Sequence, residues 1–460
     1  MIKKLFSLLI IVAAMVSLTS CLSDTDVEVT YYDDTAITAF SLGTINCYNH
    51  TTKTDGTGDS IYVTKIAGSS YKFYIDQVNA LIYNPDSLPV NCDAKHVICS
   101  FSTKNGGVVM LKLKDMWGKD SIGYYQSTDS IDLSTPIKVR VYSNRGNAYK
   151  EYVLKLNVHK QTGDEFAWGK ATAEGADQLG ARRFAQLGNS MWLFCQASDK
   201  TIGYQLVNGS WQKASELEGD DAYKSVATLG NSLYTYSNGY LYQSADGVNW
   251  SKMDTPNQIK QIIGGSGSRL YALTTSGLAY TTDGQTWVND ALDSNADALP
   301  ESDINLVAMP SKVNANTNNL TLIGNRNGKT VVWTKVEENG EHADNNAWAL
   351  LPEDSYNQKT LPCLEGLQVV VYDGGLLATG SSTSLFYKSL DHGLTWSSVD
   401  LYATPIIQAN PTAAALFCDS NNILYFSKAQ LSTVLSGRLA RLGWKTEQTS
   451  FNKYTVNIFG

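Results

Sequence analysis

Residues 387–396 read YKSLDHGLTW, and the stretch recurs in shorter form as YQSADGVNW at 242–250 and YTTDGQTW at 280–287. The shared core is S/T-x-D-(x)-G-x-x-W. Its members are Ser244, Asp246, Gly247 and Trp250, then Thr281, Asp283, Gly284 and Trp287, then Ser389, Asp391, Gly393 and Trp396. A short aspartate accepts backbone N–H groups within a turn. Glycine takes positive φ without steric cost. Tryptophan lays a large apolar face on neighbouring strands. Asp391 beside His392 invites a catalytic reading, but the two sister copies lack the histidine. A turn-holding role for the motif and an exposed side chain for His392 are therefore expected.

The motif belongs to a longer repeat. Six segments, beginning near Leu187, Leu229, Gly267, Asn319, Gly374 and Ala414, each read as strand, Gly/Asn/Ser turn, second strand. The second strands end in Tyr204, Tyr242, Tyr280, Trp333, Tyr387 and Tyr425, separated by 38, 38, 53, 54 and 38 residues. Trp211, Trp250, Trp287, Trp348, Trp396 and Trp444 follow them at intervals of 7 to 19 residues. Units of about 40 residues with four short strands pack as propeller blades, because one blade cannot cover both its faces alone. Six blades are expected, or seven if Trp168 marks a further unit rather than a strand that closes the last one.

The motif resembles the Asp-box, or BNR repeat, of sialidase-type propellers. That resemblance implies a peripheral, structural box away from the central face. It does not extend to sialidase chemistry. Those enzymes gather three arginines, a tyrosine–glutamate pair and an acid/base aspartate. The six arginines after residue 166 (Arg182, Arg183, Arg269, Arg326, Arg438 and Arg441) stand in no such context. No catalytic residue is assigned.

From Ala36 to Lys160 the pattern differs. Runs such as HVICSFS, VVMLKLK, IKVRVYS and YVLKLNVH alternate apolar and polar residues between turn formers, which predicts strands. Val139, Val141, Tyr152, Leu154 and Leu156 fall on one face of a hairpin around Asn144–Asn147. That hairpin resembles the end of immunoglobulin-like or cadherin-like modules. The fold class is thus all-β: a small β-sandwich (36–160), a linker (161–166) and a propeller (167–460).

Residues 1–20 combine a basic start with the apolar run LFSLLIIVAAMVSL, the form of a signal peptide. Leu18–Cys21 resembles the lipobox of bacterial lipoproteins, which implies lipidation of Cys21 and a tether over 21–35. The acidic residues that follow resemble the export signal of Bacteroidota surface lipoproteins. An outer-membrane address follows, surface-exposed or, alternatively, facing the periplasm. The remaining six cysteines show no C-x2-C spacing and the five histidines are scattered, so neither metal nor cofactor is expected. At most one disulfide is expected in the first half. A net charge of −8 without a basic stripe argues against nucleic-acid binding.

The whole order resembles an uncharacterised Bacteroidota lipoprotein family classed as a domain of unknown function. The expected role is a lipid-anchored binding module for glycan or protein. The alternatives are a glycan-active hydrolase or an assembly scaffold. Five triplets headed by Asp, with Thr35, Ser60, Ser87, Ser121 and Ser130 at the centre, lie before Leu133. They resemble the O-glycosylation sequon of Bacteroidota envelope proteins and suggest a glycosylated stalk. Intact mass of protein from its native host, compared with the Ser/Thr→Ala variants, should differ by more than the substitutions themselves. A difference equal to the substitutions alone overturns the assignment.

Overall fold

The structure, a computed structural model, describes residues 30–444 apart from 54–55, 115–118, 255–257, 342, 353–355, 382 and 404–411. The expected leader, Cys21 and the 21–29 part of the tether lie outside the described residues, as does His342. Strands are the main regular element, joined by 3-10 turns of three or four residues. The chain divides after Thr162 into two compact units.

In the first unit a six-stranded sheet runs in the order 74–76, 81–83, 149–155, 137–142, 108–114, 120–124. Strands 81–83 and 149–155 are parallel, and the other neighbours are antiparallel. The predicted hairpin forms with Tyr152 opposite Val139, and both are fully buried with Val141 and Leu154. Strands 37–42 and 99–103 pair with each other and add Ile37, Leu42 and Cys99 to the same core. Strands 44–52 and 59–67 make a separate two-stranded ribbon. A Cys47–Cys92 disulfide ties this ribbon to the loop before Val97. Cross-linking 45 residues apart stabilises the fold by about 3–4 kcal/mol. Cys99 remains a buried thiol, pushed up to about 11 by burial.

Among the described residues, the second unit contains six four-stranded antiparallel sheets. Their first strands are 182–187, 227–229, 259–265, 302–310, 368–372 and 414–418. Each first strand packs beside the next, and 414–418 packs beside 182–187, so the cycle closes. Five sheets are continuous in sequence. The sixth takes strands 414–418, 424–428 and 433–437 from the end of the unit and Trp168–Thr172 from its start. This is a β-propeller closed by a strand shared between its two ends.

That closure corrects the phase of the last repeat. In the first five units the aligned segment supplies the second and third strands. In the sixth it supplies the first and second, and Tyr425 pairs with Phe417. The sixth tryptophan of the series is therefore Trp168, which begins an outermost strand opposite Gly437. Trp444 lies beyond the sheet. The spacing of 38 before Tyr425 is a coincidence.

Arg182 braces the seam. Its Nη1 donates to Ser427 Oγ (3.0 Å) and Leu431 O (2.9 Å), and its Nη2 to Ala176 O (3.0 Å) and Leu179 O (3.2 Å). Its Nε reaches Gly180 O at 3.4 Å. All five N–H donors of the guanidinium are thus used. Arg182→Ala removes all five donors and leaves the half-buried Leu431 and Gly180 carbonyls short of a described partner, each costing about 1–3 kcal/mol when unsatisfied, while Ala176 O and Leu179 O keep the N–H groups of Leu179 and Gln430. Chemical denaturation should show a loss of at least about 3 kcal/mol. A change below about 0.5 kcal/mol contradicts the bracing role.

Candidate functional site

The six first strands surround a cavity of about 750 Å3, touched by residues of every sheet. Its lining mixes apolar residues, among them Phe184, Val226, Leu306 and Phe417, with glycines and polar residues. Several of its polar side chains are committed to the protein. Gln186 Nε2 donates to Gly188 O and Ser420 Oγ, and Thr228 Oγ1 donates to Gln186 O. Asn305 Nδ2 donates to Asp303 O and Leu367 O, and its Oδ1 accepts from Val369 N.

Two lining groups carry charge. Asp419 Oδ1 accepts the N–H groups of Asn421 (2.9 Å) and Ile423 (2.8 Å), so this carboxylate holds its own turn. Arg183 projects from the first strand, half-buried, with Nη1 donating to Lys224 O at 2.7 Å. Burial pulls its guanidinium below the usual arginine value, yet it stays charged. Among the described residues no carboxylate lies in ion-pair reach of it. The cavity also meets Cys418, whose thiol burial pushes up to about 12, which leaves it protonated and inert. The lining therefore offers shape, apolar contact and one cation, without two facing carboxylates.

The three boxes lie elsewhere, in the hairpins between third and fourth strands. Asp246 Oδ1 accepts the N–H groups of Val248 and Asn249, each at 2.8 Å. Asp283 Oδ1 does the same for Gln285 (2.8 Å) and Thr286 (2.7 Å). Asp391 Oδ1 accepts from Thr395 N at 2.9 Å, and its Oδ2 from Thr395 Oγ1 at 2.5 Å. The leading hydroxyl bridges each turn: Ser244, Thr281 and Ser389 accept the N–H groups of Gly247, Gly284 and Gly393 at 2.8–2.9 Å. The same hydroxyls donate to Asp246, Asp283 and Asp391. Trp396 Nε1 closes its box on Gly393 O at 2.9 Å, while Trp250 Nε1 reaches Ser215 Oγ of the preceding sheet at 3.1 Å.

The glycines explain why the boxes matter to the ring. Gly247 and Gly284 sit at φ 78° and 77°. A Cβ at Gly247 would strike the Trp192 ring, and one at Gly284 the Tyr234 ring. Each box thus packs on the sheet before it, and Gly393 faces Val332 and Thr321 in the same way. His392 is half-buried rather than exposed, because it takes the extra left-handed position (φ 59°) of the longer box. Asp391 directs both oxygens into the turn and makes no bond to His392. The first sheet has a two-residue Asn208–Gly209 turn instead, with φ 49° and 80°.

One cluster escaped the sequence reading. Lys335 and Asp290, both fully buried, pair at 2.6 Å, and Trp348 Nε1 donates to Asp290 at 2.8 Å. Nearby Glu337 accepts from Tyr271, Ser266, Asn318 and Asn339 at 2.5–3.0 Å. Burial opposes ionisation of Glu337, yet these donors hold it below the usual carboxylate range. The cluster joins the third and fourth sheets. The alternation in KTVVWTKVEE places Lys335 and Glu337 inward and leaves Val336 exposed, the reverse of what polarity suggests.

In the first unit, Ser121 and Ser130 are exposed, and Thr35, Ser60 and Ser87 are half-buried. Among the described residues no group of three or more His, Cys, Asp or Glu could hold a metal ion.

The box aspartates give a pH test. The N–H groups of Asn249 bring Asp246 down to about 2, and those of Gln285 and Thr286 hold Asp283 lower still. Burial works against Asp391, but Thr395 and Ser389 keep it depressed. A depressed carboxylate contributes stability that is complete above its unfolded value, near 4. That contribution fades as pH falls through the folded value. Asp391→Ala should cost about 1–2 kcal/mol at pH 7 and progressively less below pH 4. Thermal unfolding from pH 7 to 2.5 checks this, and a pH-independent difference contradicts it.

The model of the DUF6242 beta propeller domain matches residues 162–447, and that of the DUF6242 N-terminal domain, a domain of unknown function, matches residues 40–156. No curated protein matches the chain. Solved structures similar to it include a virginiamycin B lyase from Staphylococcus aureus, at 10% identity and TM-score 0.33, covering 73% of this chain and 96% of that one. A GH74 xyloglucanase from Xanthomonas campestris is similar at 13% identity and TM-score 0.33, covering 68% and 51%. A putative glucose dehydrogenase from Thermus thermophilus is similar at 12% identity and TM-score 0.37, covering 59% and 99%. Likeness at this level carries no argument about activity.

Proposed function

The chain belongs to the DUF6242 family, and from that premise we propose that it is a lipid-anchored binding protein of the bacterial cell envelope. The leader and Cys21 supply the anchor, and the acidic residues after Cys21 direct it to the cell surface. The first unit acts as an immunoglobulin-like or cadherin-like sandwich that carries O-glycans and spaces the second from the membrane. The second is a six-bladed Asp-box propeller whose central cavity takes a glycan unit or a short polar segment of a protein. The Cys47–Cys92 bond fits an oxidising compartment.

One observation carries the binding reading. The central cavity, at about 750 Å3, has the size of a ligand site, and the one carboxylate that lines it among the described residues is held by its own turn. Hydrolysis by a carboxylate pair needs two such groups about 5–10 Å apart. The apolar lining residues and the Arg183 guanidinium suit recognition.

The test is a glycan array with a parallel hydrolysis screen, on protein starting after Cys21. Saturable binding without turnover is expected. Gln368→Trp, at the cavity wall, should weaken that binding at least tenfold and leave the melting temperature within about 2 °C. Turnover of any glycan overturns the reading in favour of a hydrolase. Binding that Gln368→Trp leaves unchanged overturns the cavity as its site.

A further inference from the structure

The ribbon of the first unit carries an edge with no described neighbour. Strand Asp59–Ala67 pairs with Thr44–Thr52 over nine residues without a bulge, and no other described strand joins it. Most of it is exposed: Ile61 by 59%, Tyr62 by 51% and Val63 by 50%. A long, regular edge rich in β-branched and aromatic residues is a template for another strand.

The hydrogen-bond pattern shows which groups face outward. Tyr48 N donates to Asn91 O, and Asn46 O accepts from Asp93 N, so Asn46 and Tyr48 turn their backbone away from strand 59–67. Antiparallel pairs alternate between bonded and non-bonded. The bonded pairs within the ribbon are therefore Ile45–Ile66, Cys47–Thr64, Asn49–Tyr62 and Thr51–Ser60. Asp59, Ile61, Val63 and Lys65 direct their N–H and C=O groups to the open edge. Proline and β-bulges, two devices that blunt an edge, are both missing from this strand, and its charges, Asp59 and Lys65, are of opposite sign.

We propose that this edge pairs antiparallel with the same edge of a second copy, about a two-fold axis at Tyr62. In that register Ile61 lies opposite Val63 of the partner subunit and Asp59 opposite Lys65 of the partner subunit, each twice by symmetry. The outward-facing residues then form the bonded pairs, as the ladder requires. The opposite charges meet across strands, which favours this register over a shift that sets Ile61 against Lys65. The occupant is a second copy because the strand is complementary to itself in both hydrogen bonding and charge. A self-complementary patch on both partners is the signature of a two-fold interface. An edge of this length buries less than the roughly 1,200–2,000 Å2 of a stable interface, so the dimer is weak. A glycan on Ser60 would stand beside Thr64 of the partner subunit and oppose pairing.

The test uses protein starting after Cys21, from a host that does not glycosylate it. Sedimentation should show the weight-average mass rising toward twice the monomer at roughly 0.1–1 mM. Val63→Pro removes an outward donor without touching the ribbon's own ladder and should hold the mass at the monomer value. In a Cys363→Ser background, Tyr62→Cys should cross-link under mild oxidation at least tenfold faster than Thr64→Cys. A constant monomer mass with equal cross-linking of the two cysteine variants overturns the proposal. Dimerisation that appears only after truncation beyond Trp444 also overturns it, since the C-terminal segment then covers the edge.

Discussion

The pairing of Trp168–Thr172 with Thr433–Gly437 is the contact on which the second unit depends. Five sheets are made locally, each from strands close in sequence. None can cover both its faces alone, and only a closed cycle of sheets does so. The cycle closes when the start of the unit supplies the outer strand of the sixth sheet. Trp168 Nε1 donates to Tyr402 O at 2.9 Å, and the Trp168 ring packs on Phe166. Arg182 then fastens the first sheet to the sixth through Ser427 and Leu431. The central cavity exists because the ring is closed, so its shape rests on contacts at the seam.

The boxes serve the same end at other joints. In each, one carboxylate and one hydroxyl organise a turn, and the glycine lets that turn lie against the preceding sheet. The Lys335–Asp290 pair and the Glu337 cluster do comparable work between the third and fourth sheets, at a higher desolvation cost. Buried charged pairs are thus concentrated between sheets, and Arg183 and Asp419 are the charged groups of the cavity lining among the described residues.

Local features were legible in the sequence. The box turns follow from residue type and spacing, and Val139, Val141, Tyr152 and Leu154 follow from two-residue alternation. Long-range features were not. The partner of strand 168–172 lies over 260 residues away, and the repeat raised its closing role only as one of two readings of Trp168, the one the strand pairing matches. The interval before Tyr425 matched the repeat although its strand is the second of its sheet. Lys335, Val336 and Glu337 reverse the usual polarity because partners on the third sheet compensate the buried charges. The Cys47–Cys92 pairing depended on a loop path, and Cys99 stood only seven residues farther along the chain. As to the site, the sequence placed the boxes away from chemistry but offered no sign of which residues line the cavity. The wall is drawn from six strands that are far apart in sequence.

Hydrogen–deuterium exchange, read by mass spectrometry on peptides spanning 168–172 and 433–437, tests the closure most directly. If one strand pair seals the ring, both peptides exchange slowly and with the same protection, set by global unfolding of the second unit. Fast exchange at 168–172 beside slow exchange at 433–437 would mean that the ring holds without its shared strand, and would contradict the account.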